Sequence, residues 1–287
     1  MQAVQDSLSA WAEGARRDLP WRRTRDPWAV LVSELMLQQT QVARVVPRYE
    51  TFLARFPTPA ATAAVPLGDV VQAWAGLGYN RRAVNLHRAA GEIVRRHGGR
   101  LPSTLADLVA LPGVGRYTAR AVLAFAFEVD VGVVEVNSAR VLARAVAGRR
   151  LSTSEAQGLA DGLVPQGGGW TWNQAMLDLG ATVCTKKAPR CASCPLRRCC
   201  AWALDPSQPD PAVGSAGCGG RQSSFAGSDR QGRGRLVDAL RLGPVPLDRL
   251  GEAAGWPEDP GRARTVAAGL VADGLAVLGE RALCLPG

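Results

Sequence analysis

Five thiols fall within one 17-residue stretch, "CTKKAPRCASCPLRRCC", where four of them, Cys184, Cys191, Cys194 and Cys200, are spaced C-x6-C-x2-C-x5-C. Disulfides are disfavoured in a chain read as cytosolic, which leaves zinc or an iron–sulphur cluster for clustered thiolates. Zinc sites usually carry two tight Cys pairs, and this segment has one. A single ring of four Cys in one loop suits a 4Fe-4S cluster, with zinc and unliganded thiols left open. Cys199 could replace Cys200 as the last ligand. Lys186, Lys187, Arg190, Arg197 and Arg198 are interleaved with the thiols. They would offset thiolate charge and offer phosphate contacts. Cys218 and Cys284 have no such company.

Two carboxylates also stand out. Glu135 interrupts the apolar run of "VGVVEVNSARVLAR" (Val131–Arg144). An isolated buried charge there is very costly, so the group must be paired, hydrogen-bonded or neutral. Glu34 lies in "SELMLQQTQV" (Ser33–Val42), with Gln38 and Gln41 predicted on the same helical face. For a generic helix the plain alternative is a solvated polar stripe. A third motif, "LPGVGRYTARAVLAF" (Leu111–Phe125), reads as a helix end, a Gly-x-Gly turn and a new helix. Gly113 and Gly115 allow unusual backbone conformations, and their amides could approach a phosphate at the start of the next helix. A simple helix–turn–helix corner is the competing reading.

These motifs sit in a chain of 287 residues, long enough for two or three domains. It is 47% apolar, which argues for a globular protein. No apolar run of about 18 residues predicts a membrane span. The first residues lack a basic start followed by an apolar core, so no secretion signal is expected, and the cytoplasm is the expected location. The net charge is +9. Residues 1–205 hold 25 Lys and Arg against 16 Asp and Glu, whereas residues 206–287 hold 9 against 9. The excess therefore lies in the larger part, where it would attract a polyanion such as nucleic acid.

Residues 1–205 space apolar positions by three and four in Trp28–Val42, Pro47–Arg55, Leu67–Trp74, Ala83–Arg96 and Tyr117–Phe127. Pro/Gly joints separate these helices, and no alternating run argues for a sheet. Residues 206–234 are rich in Pro, Gly and Ser and predict a flexible linker. The tail predicts helices at Arg235–Leu242, Pro246–Ala254 and Gly261–Asp273. Strands follow at Ala276–Leu278 and Ala282–Leu285, a winged-helix-like pattern.

Together, "SELMLQQTQV", "LPGVGRYTA" and the four-Cys loop resemble the MutY family of adenine DNA glycosylases, in the helix-hairpin-helix superfamily that includes endonuclease III. "LPWR" (Leu19–Arg22), "GLGYNRRAVNLH" (Gly76–His87) and "NQAMLDLGATVC" (Asn173–Cys184) add to the resemblance, which covers residues 8–200. The tail looks like the winged-helix-like end of actinobacterial members and unlike the Nudix-like domain of many others. The resemblance implies a mainly α, two-lobed helix-hairpin-helix glycosylase fold with an iron–sulphur loop and a small winged-helix-like C-terminal module. One lobe would be 1–24 with 136–205, a six-helix barrel 25–135, the linker 206–234 and the module 235–287.

The implied reaction extrudes adenine from a pair with 8-oxoguanine or guanine and hydrolyses its glycosidic bond. The implied partner is duplex DNA, met by a monomer in the nucleoid. Two carboxylates in opposite protonation states are the usual solution for such a bond. By resemblance Glu34 protonates the purine and Glu135 faces the sugar cation, with Asn137 beside it. Tyr117 stands where lyase members carry a Lys nucleophile, which implies monofunctional hydrolysis. Gln39 and Tyr79 match residues that wedge into the base stack, although Tyr79 could be core. Leu19 and Trp21 would wall the adenine pocket, or anchor a helix. Leu111, Gly113, Gly115, Arg116, Lys186, Lys187 and Arg190 would contact DNA. The family has Asp-Gly-Asn where this chain has Glu135-Val136-Asn137. That departure also admits a catalytically weak lesion sensor, or a glycosylase with a shifted base preference.

Overall fold

The computed structural model describes residues 1–205, 207–216, 218 and 224–287. Nearly all its regular elements are helices, and the chain divides into two units. The first takes in Met1–Val30, Ser103–Leu105 and Gly115–Arg221, and the second Leu31–Pro102, Ala106–Val114 and Gln222–Gly287. No helix among the described residues is long and apolar enough to cross a membrane.

In the first unit the helices Gln2–Ala15, Val136–Val141, Thr153–Leu163 and Gly169–Thr182 enclose a core that includes Leu8, Val141, Leu142, Leu163, Leu179 and Leu196. The helix Val136–Val141 runs straight on into a π-helical segment, Leu142–Ala147. The residues from Gly115 to Glu135 belong to this unit, not to a body spanning 25–135. Polar side chains hold them there. Arg120 donates to Asp161 at 2.6 Å, and the Val133 amide donates to Asn173 Oδ1 at 2.8 Å. At the N-terminal end, the buried carboxylate of Asp178 receives Arg22 at 2.7 and 2.9 Å and Arg17 at 2.5 Å. These partners hold the Asp178 carboxyl below the usual range against the opposing effect of burial.

The expected linker is more ordered than its composition predicts. Asp210 pairs with Arg144 at 2.9 and 2.6 Å, Ser215 Oγ accepts from the Leu151 amide at 3.0 Å, and Ala212 is buried. The Ala216 amide also donates to the Leu151 carbonyl at 2.9 Å, so several contacts fasten residues 207–216 to the first unit. Pro206, Gly217 and residues 219–223 lie outside the described residues.

In the second unit the helices Val42–Arg55, Leu67–Ala73 and Arg81–His97 pack around Phe52, Phe56 and Trp74. The Phe52 ring meets Trp74 edge-on at 5.9 Å. The tail helix is Asp229–Leu242, beginning six residues before the expected Arg235. Gly232 lets this earlier part of the helix pack closely on Trp256, whose ring would lie 2.1 Å from a Cβ there. Helices Leu250–Ala254 and Pro260–Ala272 follow. Besides the two expected strands there is a third, Val245–Pro246, so that Ala282–Cys284 is central in an antiparallel sheet.

This tail is seated on the helix Leu67–Ala73. Arg241 donates to the Val71 carbonyl at 3.0 and 3.1 Å and to Asn80 Oδ1 at 3.0 Å. The Gly68 amide donates to the Pro286 carbonyl at 2.9 Å, and a Cβ on Gly68 would come within 2.5 Å of that oxygen. Gly68→Ala is therefore expected to destabilise the protein by about 1–3 kcal/mol. Gly91→Ala, mid-helix with nothing within 4 Å of its Cβ position, is expected to stabilise it by roughly 0.5–1 kcal/mol. Thermal unfolding of the two variants should move in opposite directions. Equal shifts would show that the Gly68 contact yields freely.

Candidate functional site

The first unit gathers the Cys loop, Glu135, Asn137, Tyr117, Leu19 and Trp21. The second holds Glu34, Gln39, Tyr79, Leu111 and Gly113. Cys184, Cys191, Cys194 and Cys200 line one cavity with Arg144, Leu196 and Trp202. Cys199 lies outside it, its Sγ turned to the Leu196 carbonyl at 3.5 Å. Among the described residues, no three His, Cys, Asp or Glu side chains converge on a point that could hold a single metal ion. Arg144 is fixed beside the thiols. It donates to Cys184 Sγ at 3.5 Å and to the Thr185 carbonyl at 2.8 Å, and lies 5.0 Å from the centre of the Trp202 ring. Burial and the neighbouring thiols push the Cys194 thiol up to about 11. Lys186, Lys187 and Arg190 are exposed.

Glu135 is the N-cap of the helix Val136–Val141. Its Oε1 accepts from the amides of Asn137 at 2.7 Å and Ser138 at 3.2 Å, and its Oε2 accepts from Asn137 Nδ2 at 3.2 Å. Ser138 Oγ accepts from the Glu135 amide at 2.9 Å, closing a capping box. Glu is a poor N-cap by length, and here its extra methylene lets the side chain fold back on its own helix. Burial raises the Glu135 pKa against these hydrogen bonds and the charge of Arg140. Asn137 Oδ1 accepts from Arg140 at 2.8 Å, and Arg140 also reaches the Gly180 and Cys184 carbonyls at 2.6 Å each. Gly180 is required there, since a Cβ would lie 2.6 Å from the Asn137 carbonyl oxygen. Tyr117 is half-buried and Arg116 exposed at the start of the helix Arg116–Phe125, while Leu19 and Trp21 are buried beside the Arg22–Asp178 pair.

Glu34 lies in the helix Pro27–Leu37, where every residue from Trp28 to Met36 is buried. A helix apolar all round is a central one, so the solvated stripe is ruled out. Glu34 is 5% exposed. Its Oε2 receives no hydrogen bond from any described residue, although the residue as a whole has other interactions. Gln38 and Gln41 do not share its face, because the helix stops at Leu37 and Gln41 caps the next one.

The stop has a cause that the sequence reading missed. Arg82, 7% exposed, places Nη1 within 2.6–2.7 Å of the Leu35, Met36 and Gln38 carbonyls. Its Nη2 donates to Thr40 Oγ1 at 2.9 Å and to the Leu77 and Gly78 carbonyls at 3.2 and 2.9 Å. One guanidinium thus joins two turns. Gln39, with φ 56°, lies on one and Tyr79, with φ 45°, on the other. Side chains other than Gly rarely adopt that backbone, and such strain persists only where surroundings impose it. Burial lowers the Arg82 pKa to about 10, so it stays charged near neutrality. A signal was available: a cation in the first turn of the helix Arg81–His97 opposes the helix dipole and needs a partner elsewhere. In the hairpin, Leu111 is buried and Gly113 has φ 77°, with Asn85 Cβ 2.6 Å from the position of a Cβ. Gly115 is exposed.

Comparison with known proteins gives a consistent result. Residues 32–165 match the model of the HhH-GPD superfamily of base excision DNA repair proteins. The chain is 43% identical over 272 residues to the adenine DNA glycosylase of Mycolicibacterium smegmatis, covering 93% of this chain and 90% of that one. It is 44% identical over 212 residues to the adenine DNA glycosylase of Homo sapiens, covering 69% and 39%. Among solved structures it is similar to a thermostable thymine-DNA glycosylase, at 27% identity and a TM-score of 0.66, covering 71% of this chain and 96% of that one. It is also similar to endonuclease III in a trapped covalent complex with DNA, at 26% identity and a TM-score of 0.62, covering 71% and 95%.

Removing the Arg82 guanidinium strands several buried carbonyls at once. Arg82→Ala is expected to cost about 3 kcal/mol or more. Hydrogen exchange should accelerate first in residues 38–41 and 77–80. Arg82→Lys should restore little, because a point charge cannot bridge both turns. Unchanged exchange in both turns would show that they hold their shape independently.

Proposed function

The chain belongs to the MutY family of adenine DNA glycosylases, and on that premise we propose that it hydrolyses the glycosidic bond of adenine mispaired with 8-oxoguanine or guanine in duplex DNA. It is a DNA glycosylase of base excision repair. The observation that carries the finer reading is the contrast between its two carboxylates. Glu34 is buried in an apolar helix, while Glu135 is held by two amides and a carboxamide. Burial raises the Glu135 pKa, and the two amides and the carboxamide oppose it by stabilising the anion.

In this reading Glu34 delivers a proton to the leaving purine and then orients water. Glu135 opposes the positive charge that develops on the sugar, with Asn137 fixing its carboxylate. Tyr117 cannot form a Schiff base, so hydrolysis leaves an intact abasic site. The strained turns carry Gln39 and Tyr79 into the stack as adenine leaves it, and Leu19 and Trp21 wall the pocket that receives the base. The hairpin from Leu111 through Gly113 and Gly115 to Arg116 contacts the phosphate backbone, as do Lys186, Lys187 and Arg190. Cys184, Cys191, Cys194 and Cys200 would hold a 4Fe-4S cluster. The four line one cavity, as ligands of a single cluster would. Bound there, the cluster supplies a cross-link that holds the loop. A lesion sensor without turnover is the second reading, favoured by Glu at position 135.

Single-turnover assays on an adenine:8-oxoguanine duplex separate the two. Wild type should release adenine and leave an abasic strand that breaks only in alkali. Glu135→Gln should lower the rate by at least about 100-fold, and Glu135→Asp, which keeps both charge and cap, should be at least as fast as wild type. The raised Glu135 pKa means that the anion is lost as pH falls, so the acid limb should lie above pH ~4.3, the ordinary Glu value. A Glu135→Gln enzyme as fast as wild type would remove Glu135 from the mechanism, and binding without release by wild type would favour the sensor.

Protein prepared without oxygen should contain about four iron and four sulphide per chain. Cys200→Ser should lose them and Cys199→Ser keep them. Stoichiometric zinc in iron-supplemented protein would overturn the cluster assignment.

A further inference from the structure

The two strained turns form one side of a groove of about 810 Å³ that lies wholly within the second unit. The other side comes from the tail: Phe225, Arg230, Arg233 and Val237, with Leu270 and Leu275 at the base. Five arginines line the groove against a single acid, Asp273, which Arg81 approaches at 3.2 Å and Arg233 also engages. The side chains of Gln38, Gln39, Gln41, Asn80 and Asn85 add hydrogen-bond donors and acceptors. Two aromatic rings are open to solvent, Tyr79 at 41% and Phe225 at 58% exposure, and Arg230 lies over the Phe225 ring at 6.0 Å.

Cations beside exposed rings and amides match a nucleic-acid strand with an unstacked base. A small anion would need no rings, and an apolar ligand no arginines. Neither Glu34 nor Glu135 lines the groove, so it is not where the excised base reacts. Yet it contains both turns that would enter the stack. The strand it can serve is the one opposite the excised base.

We propose that the C-terminal module forms the second wall of a DNA groove, with Phe225 and Arg230 engaging the nucleotide left opposite the extruded adenine and its flanking phosphates. This rests on the glycosylase reading for the identity of the duplex. It reverses the expectation from net charge. The tail is neutral in sum, but it directs Arg230 and Arg233 into this groove.

The test uses the full chain and a duplex with a non-hydrolysable 2′-fluoro adenosine opposite 2-aminopurine. Affinity is measured across a salt series, together with the fluorescence of the analogue. Arg230→Ala should make the slope of log affinity against log salt shallower by about 1. Phe225→Ala should weaken binding roughly fivefold or more and change the analogue's fluorescence through lost stacking. Arg249→Ala, a cation of the same module paired with Glu252 away from the groove, should change neither. Thermal unfolding of each variant verifies that the fold is kept. If folded Arg230→Ala and Phe225→Ala proteins bind as wild type does, the proposal is wrong. If wild type shows these signatures but releases no adenine from a cleavable duplex, the groove stands and the glycosylase reading fails.

Discussion

A guanidinium withdrawn from water must find acceptors in its place, and Arg82 finds them in the carbonyls of two separate turns. The cost of desolvating that charge is offset only while both turns are formed. Neither can therefore relax without leaving the cation unsatisfied. The left-handed backbones of Gln39 and Tyr79 follow from this constraint. So does the end of the helix that carries Glu34, because the carbonyls that Arg82 takes belong to its last turn. Thr40 reinforces the link, accepting from Arg82 and donating to the Leu77 carbonyl at 3.1 Å. Turns fixed in this way are shaped before anything binds, and preorganisation of that kind lowers the entropy lost on binding.

The first unit solves a similar problem with two arginines one helical turn apart. Arg140 holds Asn137, and through it Glu135, while also binding the Cys184 carbonyl. Arg144 reaches the Cys184 sulfur itself and is secured from outside by Asp210. A carboxylate at the head of one helix and a thiol at the foot of another thus share a scaffold of cations. The close approach of those helices is possible because residue 180 has no side chain.

Much of this was legible in the sequence. Three- and four-residue spacing located the helices near Leu67, Arg81 and Arg116, since their buried faces are continuous. The Cys spacing anticipated one shared cavity. The helix end at Leu37 was not legible. "LMLQQTQV" continues a plausible helical pattern, and what ends it is an arginine more than forty residues along the chain. Composition misjudged residues 207–216 for a related reason: average polarity cannot show that Asp210 has a buried partner in Arg144. The fold-back of Glu135 depends on local backbone geometry, and its residue type argued against a cap. Charge summed over the tail concealed how unevenly its arginines are placed.

The π-helical segment Leu142–Ala147 bears on how this lineage can vary in length. A π turn is in effect an α-helix carrying one surplus residue. Deleting a single residue within 142–147 could be absorbed by reverting to α geometry, without breaking the helix. The residues on either side would keep their relative orientation, because the π turn holds the surplus residue within itself. Arg144 lies inside the segment and Arg140 ahead of it. Such a deletion would leave Arg140 on Asn137 and the far end of the helix in its present orientation. The segment thus carries one residue that the α-helix on either side does not need. A one-residue alignment gap at this point would mark a relative in which the same helix runs unbroken in α geometry.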